Sequence, residues 1–126
     1  MRISINTNNI EIICKLRTND TATQIKSILP VTSKINVWGD EIYFPISDLN
    51  IREESDATDI MSLGEIAFWI QGNSVAIGFG PTPVSISDEI RLINKANIWA
   101  DALNPDILLN LKKVAQDSEI EIKLID

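Results

Sequence analysis

Carboxylates are the side chains of this sequence that could perform acid or base chemistry. The chain has no histidine and one cysteine, so the commonest general base and the commonest metal ligand are missing. Glu41 and Glu65 each begin a predicted strand beside aromatic or apolar neighbours. If both lined the mouth of a barrel, burial could raise the pKa of one carboxyl and make it an acid or a base. Solvent-facing carboxylates are the alternative, and they are commoner at the start of a strand.

No other pattern in the sequence indicates a reactive centre. No serine stands in a local nucleophile motif, and no glycine-rich phosphate loop precedes a helix. The acidic run at residues 53–56 lacks the alternating oxygen ligands, the glycine and the terminal Glu of a calcium loop. Cys14 alternates with Ile12 and Leu16, which predicts a small buried hydrophobe. We therefore expect no catalytic nucleophile, no metal site and no cofactor.

Aromatic side chains are the better candidates for a binding site. By strand alternation Phe68 faces the core and Trp69 faces the other side, while Tyr43 shares the side of Glu41. Large aromatics off the core face, beside the turn at residues 80–83, could line a groove that also has a few polar groups. The residues predicted to bind a ligand are Trp38, Glu41, Tyr43, Trp69, Gln71 and Thr82. Burial in a second small core or in a subunit contact is the alternative.

A hairpin predicted within residues 64–83 is the element around which the others are arranged. Apolar residues alternate over 66–70 and again over 75–79, which is the period of two strands. Gly72 and Asn73 lie between them and predict a two-residue type II′ turn with positive φ at Gly72.

The second of these strands has one bulky face and one face of small residues. Ala76, Gly78 and Gly80 alternate along the small face. Glycine weakens a strand, so its presence here indicates that something packs directly on the backbone. The candidates are a crossing strand, the segment at residues 85–92, or a ligand.

These two stretches also carry a family resemblance. Residues 64–83, together with the run from Trp38 to Phe44, resemble the cyclophilin-like domain family, which consists of small, mostly uncharacterised microbial proteins. The resemblance implies a mainly-β fold: a closed antiparallel cyclophilin-like β-barrel of about eight strands with two or three short helices. The chain departs from the family near Trp99, where a smaller residue is usual.

The resemblance to cyclophilins raises the question of prolyl isomerase activity. In that superfamily, catalysis depends on an arginine beside an aromatic and apolar pocket for proline. Arg17, at the end of the second predicted strand, is the only arginine in a suitable position, and its neighbours do not match. The fold is therefore expected without the activity.

The remaining segments predict further strands and short helices. In chain order they are a hairpin around residues 7–9, a helix over 21–29, a bent strand over 35–44, a loop with one short strand over 48–61, one helical turn within 85–92, a strand over 96–102, a helix from Asn104-Pro105 and a closing strand over 119–124.

Composition restricts the partners. A length of 126 residues suits a single domain over residues 1–126. The net charge of −7 makes the chain acidic and opposes binding to nucleic acid or to an anionic membrane. No apolar run approaches the ~20 residues of a membrane span, and the N-terminus has no signal-peptide pattern. With one cysteine, a reducing and cytoplasmic location is predicted. A homodimer through residues 81–83 or the last strand is a further expectation.

Two functions follow as expectations. The first is a protein that binds a small apolar ligand or an extended peptide in an aromatic-lined groove, without turnover. The alternative is an enzyme, either a weak peptidyl-prolyl isomerase or a carboxylate-dependent catalyst that uses Glu41.

Overall fold

A computed structural model describes all residues, 1–126, as ten antiparallel strands in one curved sheet. The strands are β1 (Arg2–Thr7), β2 (Ile10–Leu16), β3 (Val31–Lys34), β4 (Asn36–Val37), β5 (Glu41–Pro45), β6 (Thr58–Met61), β7 (Glu65–Trp69), β8 (Ser74–Gly78), β9 (Ile90–Ala102) and β10 (Glu119–Leu124). Two helices accompany them: α1 (Asp20–Ser27) and a 3-10 helix (Pro105–Lys113).

The sheet curls into a nearly closed barrel. Its strand order is β3-β10-β1-β2-β9-β7-β8-β5-β4, and β6 pairs separately with β9. Because only Ile35 separates β3 from β4, the two ends of this order are joined within one stretch of chain. The predicted mainly-β antiparallel barrel is therefore confirmed. The strand count exceeds the predicted eight because the predicted bent strand over residues 35–44 forms two strands, β4 and β5, and because β3 was not predicted.

The first hairpin follows its predicted pattern. Asn8 and Asn9 both have positive φ, at 47° and 65°, which is the geometry of a type I′ turn. The turn sets β1 against β2 so that Ile3 pairs with Cys14 and Ile5 with Ile12. Strand β10 pairs with β1 on one side and with β3 on the other, so both of its edges are paired within the chain.

The central hairpin forms with a different turn from the predicted one. Trp69 pairs with Ser74, so residues 70–73 form a four-residue loop rather than a two-residue turn. Positive φ occurs at Asn73, at 45°, and not at Gly72. A Cβ on Gly72 would lie 2.2 Å from a ring carbon of Trp69, so this glycine makes room for the indole. The type II′ prediction is wrong because a side-chain contact determines the position of the glycine.

Strand β9 is longer than predicted, and it is bulged. It begins at Ile90, so the helical turn expected within residues 85–92 is absent. The register with β7 shifts between Ile66 and Ala67. Trp99 consequently packs in the main core together with Ala100, although alternation placed the two on opposite faces. The Trp99 indole N–H donates to the Ala67 carbonyl at 3.1 Å.

The helices close the barrel core. Asn19 caps α1 by accepting a hydrogen bond from the Ala22 N–H at 2.9 Å, and the helix begins at Asp20, one residue before its predicted start. In the 3-10 helix and just after it, Leu108, Leu111 and Val114 are buried, and their spacing of three suits three residues per turn. Neither helix has the length and apolar composition that a membrane-spanning helix needs.

The sheet has a buried cluster on each face. The main cluster holds 24 buried hydrophobic residues inside the barrel and beneath the helices. The second holds six buried residues on the other side of the sheet: Met61, Ala67, Ala76, Leu92, Ala96 and Ile98. We call the side of the second cluster the outer face. Tyr43, Trp69 and Ile90 pack against this second cluster.

Candidate functional site

A cavity of about 240 Å³ opens on the outer face of the barrel. Seven residues line it: Trp38, Glu41, Tyr43, Trp69, Ala76, Leu92 and Ile93. Strands β5, β7, β8 and β9 supply all of them except Trp38, which precedes β5. We call this space the outer cavity.

Strand register explains why a cavity forms here. The pairing of β5 with β8 places Glu41 opposite Gly78 and Tyr43 opposite Ala76. Large side chains on β5 thus stand beside small ones on β8, and the small ones leave space above the sheet. A Cβ on Gly78 would lie 2.4 Å from Ile90 Cγ2. The prediction that a neighbouring group packs directly on Gly78 is confirmed. Of the predicted candidates, the segment at residues 85–92 makes this contact, through Ile90.

Two aromatic rings form a corner of the cavity. The centroids of Tyr43 and Trp69 are 5.7 Å apart, and their planes meet at 86°. The Trp69 indole N–H donates to Asn94 Oδ1 at 3.0 Å, and its ring covers Gly72. The ring is therefore held on both sides, as suits a preformed wall.

Glu41 is the polar group of the outer cavity. Its side chain is buried, with 5% of the residue exposed, and its Oε1 has no hydrogen-bond partner in the chain. Burial raises the pKa of the carboxyl to about 8, because desolvation penalises the charged form. At neutral pH the side chain is thus mainly an uncharged acid that can donate a hydrogen bond or transfer a proton. The solvent-facing alternative is wrong for this residue.

A tight turn holds Glu41 in place. The Trp38 N–H donates to the Glu41 carbonyl at 2.9 Å, and the Glu41 N–H donates back to the Trp38 carbonyl at 3.2 Å. Gly39 lies inside this turn with φ of 60°, a conformation that favours glycine. The turn fixes Trp38 and Glu41 at the same end of the cavity.

Four of the six sequence-predicted site residues meet in this cavity, and two lie elsewhere. Trp38, Glu41, Tyr43 and Trp69 line it. Gln71 is exposed in the loop at residues 70–73. Thr82 is buried, but its hydroxyl donates to the Arg91 carbonyl and its N–H donates to Ser85 Oγ at 2.8 Å. Thr82 therefore holds the loop before β9 rather than facing a ligand.

Three lining residues were not identified from the sequence. Ala76 belonged to the small face of β8, so the signal for a cavity floor was present. Leu92 and Ile93 lie on β9, where the sequence has no clean period. Their position follows from pairing with β6, which no local pattern specifies.

The other acid and base candidates lie outside the cavity. Arg17 donates to both carboxylate oxygens of Asp101, at 2.8 and 2.9 Å, and to Glu65 Oε2 at 3.0 Å. These hydrogen bonds, with Asp101 first, raise the pKa of the Arg17 guanidinium further. Glu65 does not meet Glu41, and Arg17 does not reach the aromatic wall.

The chain offers no cluster suited to a metal and no exposed thiol. No group of three or more His, Cys, Asp or Glu side chains could hold an ion. Cys14 is fully buried, and burial, followed by the charge of Asp101, raises the pKa of its thiol to about 12. The outer cavity is thus the one place where the structure combines space, aromatic walls and an unpaired polar group.

Comparison with known proteins agrees with this architecture. A model of the cyclophilin-like family matches residues 1–123, as the sequence motifs predicted. The solution structure of the hypothetical protein AF2241 from Archaeoglobus fulgidus is similar, with a TM-score of 0.78 and 31% identity over 98% of this chain and 93% of that one. The structure of McbB in complex with tryptophan has a TM-score of 0.66 and 16% identity, over 98% of this chain and 46% of that one. At that identity the likeness concerns the fold alone, and this chain spans under half of McbB. No curated protein matches the sequence.

Proposed function

This chain belongs to the cyclophilin-like family, and we propose that it is a binding protein for a small, largely apolar molecule held in the outer cavity. One observation carries the proposal: three aromatic side chains and a buried, unpaired carboxyl line the same space. Pockets for small molecules are mostly apolar with a few polar groups that orient the ligand. The outer cavity has that composition.

The size of the cavity favours a small ligand over an extended peptide. Its volume is about 240 Å³. Pockets for drug-sized ligands are larger, from roughly 300 Å³ upward, whereas an engineered cavity of about 150 Å³ holds benzene. A molecule with one or two rings fits this range. McbB, a longer protein that shares this fold, forms a complex with tryptophan, which is an aromatic small molecule.

A fragment screen by NMR tests the proposal. Aromatic fragments should shift the backbone amide signals of Tyr43, Trp69, Ala76 and Leu92. Ala76→Leu fills the floor of the cavity and should weaken the best fragment by roughly tenfold or more, which is about 1.4 kcal/mol. Leu103→Ala, at an exposed residue that does not line the cavity, is the matched control and should leave affinity unchanged. A broad library that shifts none of these signals would remove the proposal.

A second candidate function is acid–base catalysis by Glu41, and the position of its pKa favours it. A group whose pKa of about 8 lies near neutral pH can both give and take a proton efficiently. Incubating each fragment hit with the protein and analysing it by mass spectrometry separates the two functions. A binding protein returns the fragment unchanged. Conversion that Glu41→Gln abolishes would establish the enzyme instead.

Prolyl isomerase activity has less support. The proposal predicts that a protease-coupled assay with a proline peptide shows the uncatalysed rate, because Arg17 is paired with Asp101 and Glu65 away from the aromatic wall. Measurable acceleration that Arg17→Ala removes would contradict this.

A further inference from the structure

We propose that the outer cavity selects an aromatic amine, bound as its cation with the ammonium group against Glu41 and the ring among the aromatic walls. This inference rests on the proposed function and specifies its ligand class.

Glu41 has no partner within the protein. The residue is 5% exposed, and its Oε1 accepts no hydrogen bond. A buried polar atom without a partner costs roughly 1–3 kcal/mol, so a ligand that supplies the partner recovers this energy. Glu41 is one of the residues that line the cavity, so a ligand in the cavity lies beside this carboxyl group.

No cation of the protein lines the cavity. Besides Glu41, the lining residues are Trp38, Tyr43, Trp69, Ala76, Leu92 and Ile93. Tyr43 is the only other titratable group among them. The neighbouring Asp40 carboxylate contacts Gly80, and its Oδ2 lies 3.8 Å from Lys112 Nζ. A positive charge at Glu41 must therefore come from the ligand.

The aromatic walls favour the same charge. Faces of Trp and Tyr rings attract cations within about 6 Å of their centroids, most strongly where water is excluded. Tyr43 and Trp69 form a perpendicular corner, and Trp38 adds a third ring. A bare metal ion lacks the apolar body that would fill the space, and no cluster of three acidic ligands exists. An anion would meet a carboxyl in a chain of net charge −7.

Binding of an ammonium group changes the protonation of Glu41. A nearby positive charge lowers the pKa of a carboxyl. Since the free carboxyl has a pKa of about 8, it is mainly protonated at pH 7, and its ionisation on binding releases most of one proton. A neutral ligand leaves the acid protonated and releases none. Proton release therefore reports the charge of the group that contacts Glu41.

Isothermal titration calorimetry with three indoles tests the inference. The probes are tryptamine, indole-3-ethanol and indole-3-acetate, which share a ring and differ in charge. At pH 7, in buffers of different ionisation enthalpy, tryptamine should bind at least roughly tenfold more tightly than indole-3-ethanol, a difference of about 1.4 kcal/mol. Tryptamine should also release most of one proton, whereas indole-3-ethanol should release almost none. Indole-3-acetate should bind most weakly.

Variants at Glu41 complete the test. Glu41→Gln should bring the affinities of tryptamine and indole-3-ethanol together and abolish proton release. Glu41→Asp keeps the acid and should keep the preference for tryptamine, which provides a second variant if the amide variant folds poorly. Circular dichroism checks the fold of each.

The outcomes separate the inference from the proposed function. Equal affinities for tryptamine and indole-3-ethanol in the unmodified protein would overturn the amine preference and leave small-molecule binding intact. Absence of tryptamine binding at millimolar concentration would also overturn it. Fragment hits in the outer cavity would then preserve the proposed function, and a silent library would remove both.

Discussion

The two faces of the curved sheet are built from the same strands but carry different side chains. Along β5, Ile42 and Phe44 enter the main core, whereas Glu41 and Tyr43 line the outer cavity. The inner face buries 24 hydrophobic residues, and the outer face buries six beside a cavity of about 240 Å³. Strand alternation thus places the packed core on one side and a polar, incompletely filled site on the other. We infer that the inner face supplies stability and that the outer face supplies recognition.

Removing a large side chain from each face gives the largest expected difference. Phe68, which is 1% exposed, and its neighbour Trp69 point to opposite faces of β7. Phe68→Ala should lower the free energy of unfolding by roughly 3–5 kcal/mol, because it opens a cavity in the main core. Trp69→Ala should cost clearly less, since its ring is half-buried at the cavity wall. Chemical denaturation measures both, and equal losses would contradict the division between the faces.

The pH dependence of stability tests the polar side of the comparison. The pKa of Glu41 is raised from 4.5 to about 8 in the folded protein, so the folded state binds the proton more tightly than the unfolded chain. That contribution is fully present below pH 4.5 and is lost as pH rises through about 8. Between pH 5 and pH 9 the unmodified protein should lose roughly 2–4 kcal/mol more stability than Glu41→Gln.

An exposed glutamate provides the control for this experiment. Glu53→Gln, in the loop before β6, should reproduce the pH dependence of the unmodified protein. If Glu41→Gln also reproduced it, the carboxyl of Glu41 would not be a buried neutral acid.

Overfilling the small face of β8 should have an intermediate effect. Gly78→Val should destabilise the fold by roughly 1–3 kcal/mol, because the new Cβ would meet Ile90 Cγ2 at 2.4 Å. Shortening the neighbour by Ile90→Ala in the same chain should recover part of the loss. Thermal unfolding distinguishes this from higher β-propensity alone, which would leave the melting temperature unchanged or raise it.

The smallest effect is expected outside the cavity. Gln71→Ala should change the free energy of unfolding by less than about 0.5 kcal/mol, because the side chain is exposed in a loop. It should also leave fragment affinity unchanged. A clear loss of affinity would show that the ligand extends beyond the seven lining residues.

Local patterns predict the elements whose determinants are local. Alternation identified the first hairpin, strands β5, β7 and β8, and the outward positions of Tyr43 and Trp69. The small face of β8 also indicated a close neighbour, which the structure identifies as Ile90. These features depend on side-chain size and a period of two, and both can be read along the chain.

Features that depend on contacts between distant segments were missed. The bulge in β9 opposite Ile66 places the side chain of Trp99 in the main core. One inserted residue therefore reverses the face of the strand on which the next side chains lie. The indole of Trp69 determines the position of Gly72, so the loop lengthens and positive φ moves to Asn73. Thr82 is a polar residue of a kind that can bind a ligand, but its hydroxyl donates a hydrogen bond to the Arg91 carbonyl instead.

The protonation state of Glu41 decides whether the outer cavity holds an unpaired acid. Carbon-13 NMR of the side-chain carboxyl, assigned by comparison with Glu41→Gln, follows its titration from pH 3 to pH 10. We expect a midpoint near 8, because the carboxyl is buried without a partner in the outer cavity. A midpoint near the ordinary value of 4.5 would mean that water or another group already satisfies the carboxylate. The outer cavity would then have no unpaired acid to offer a ligand.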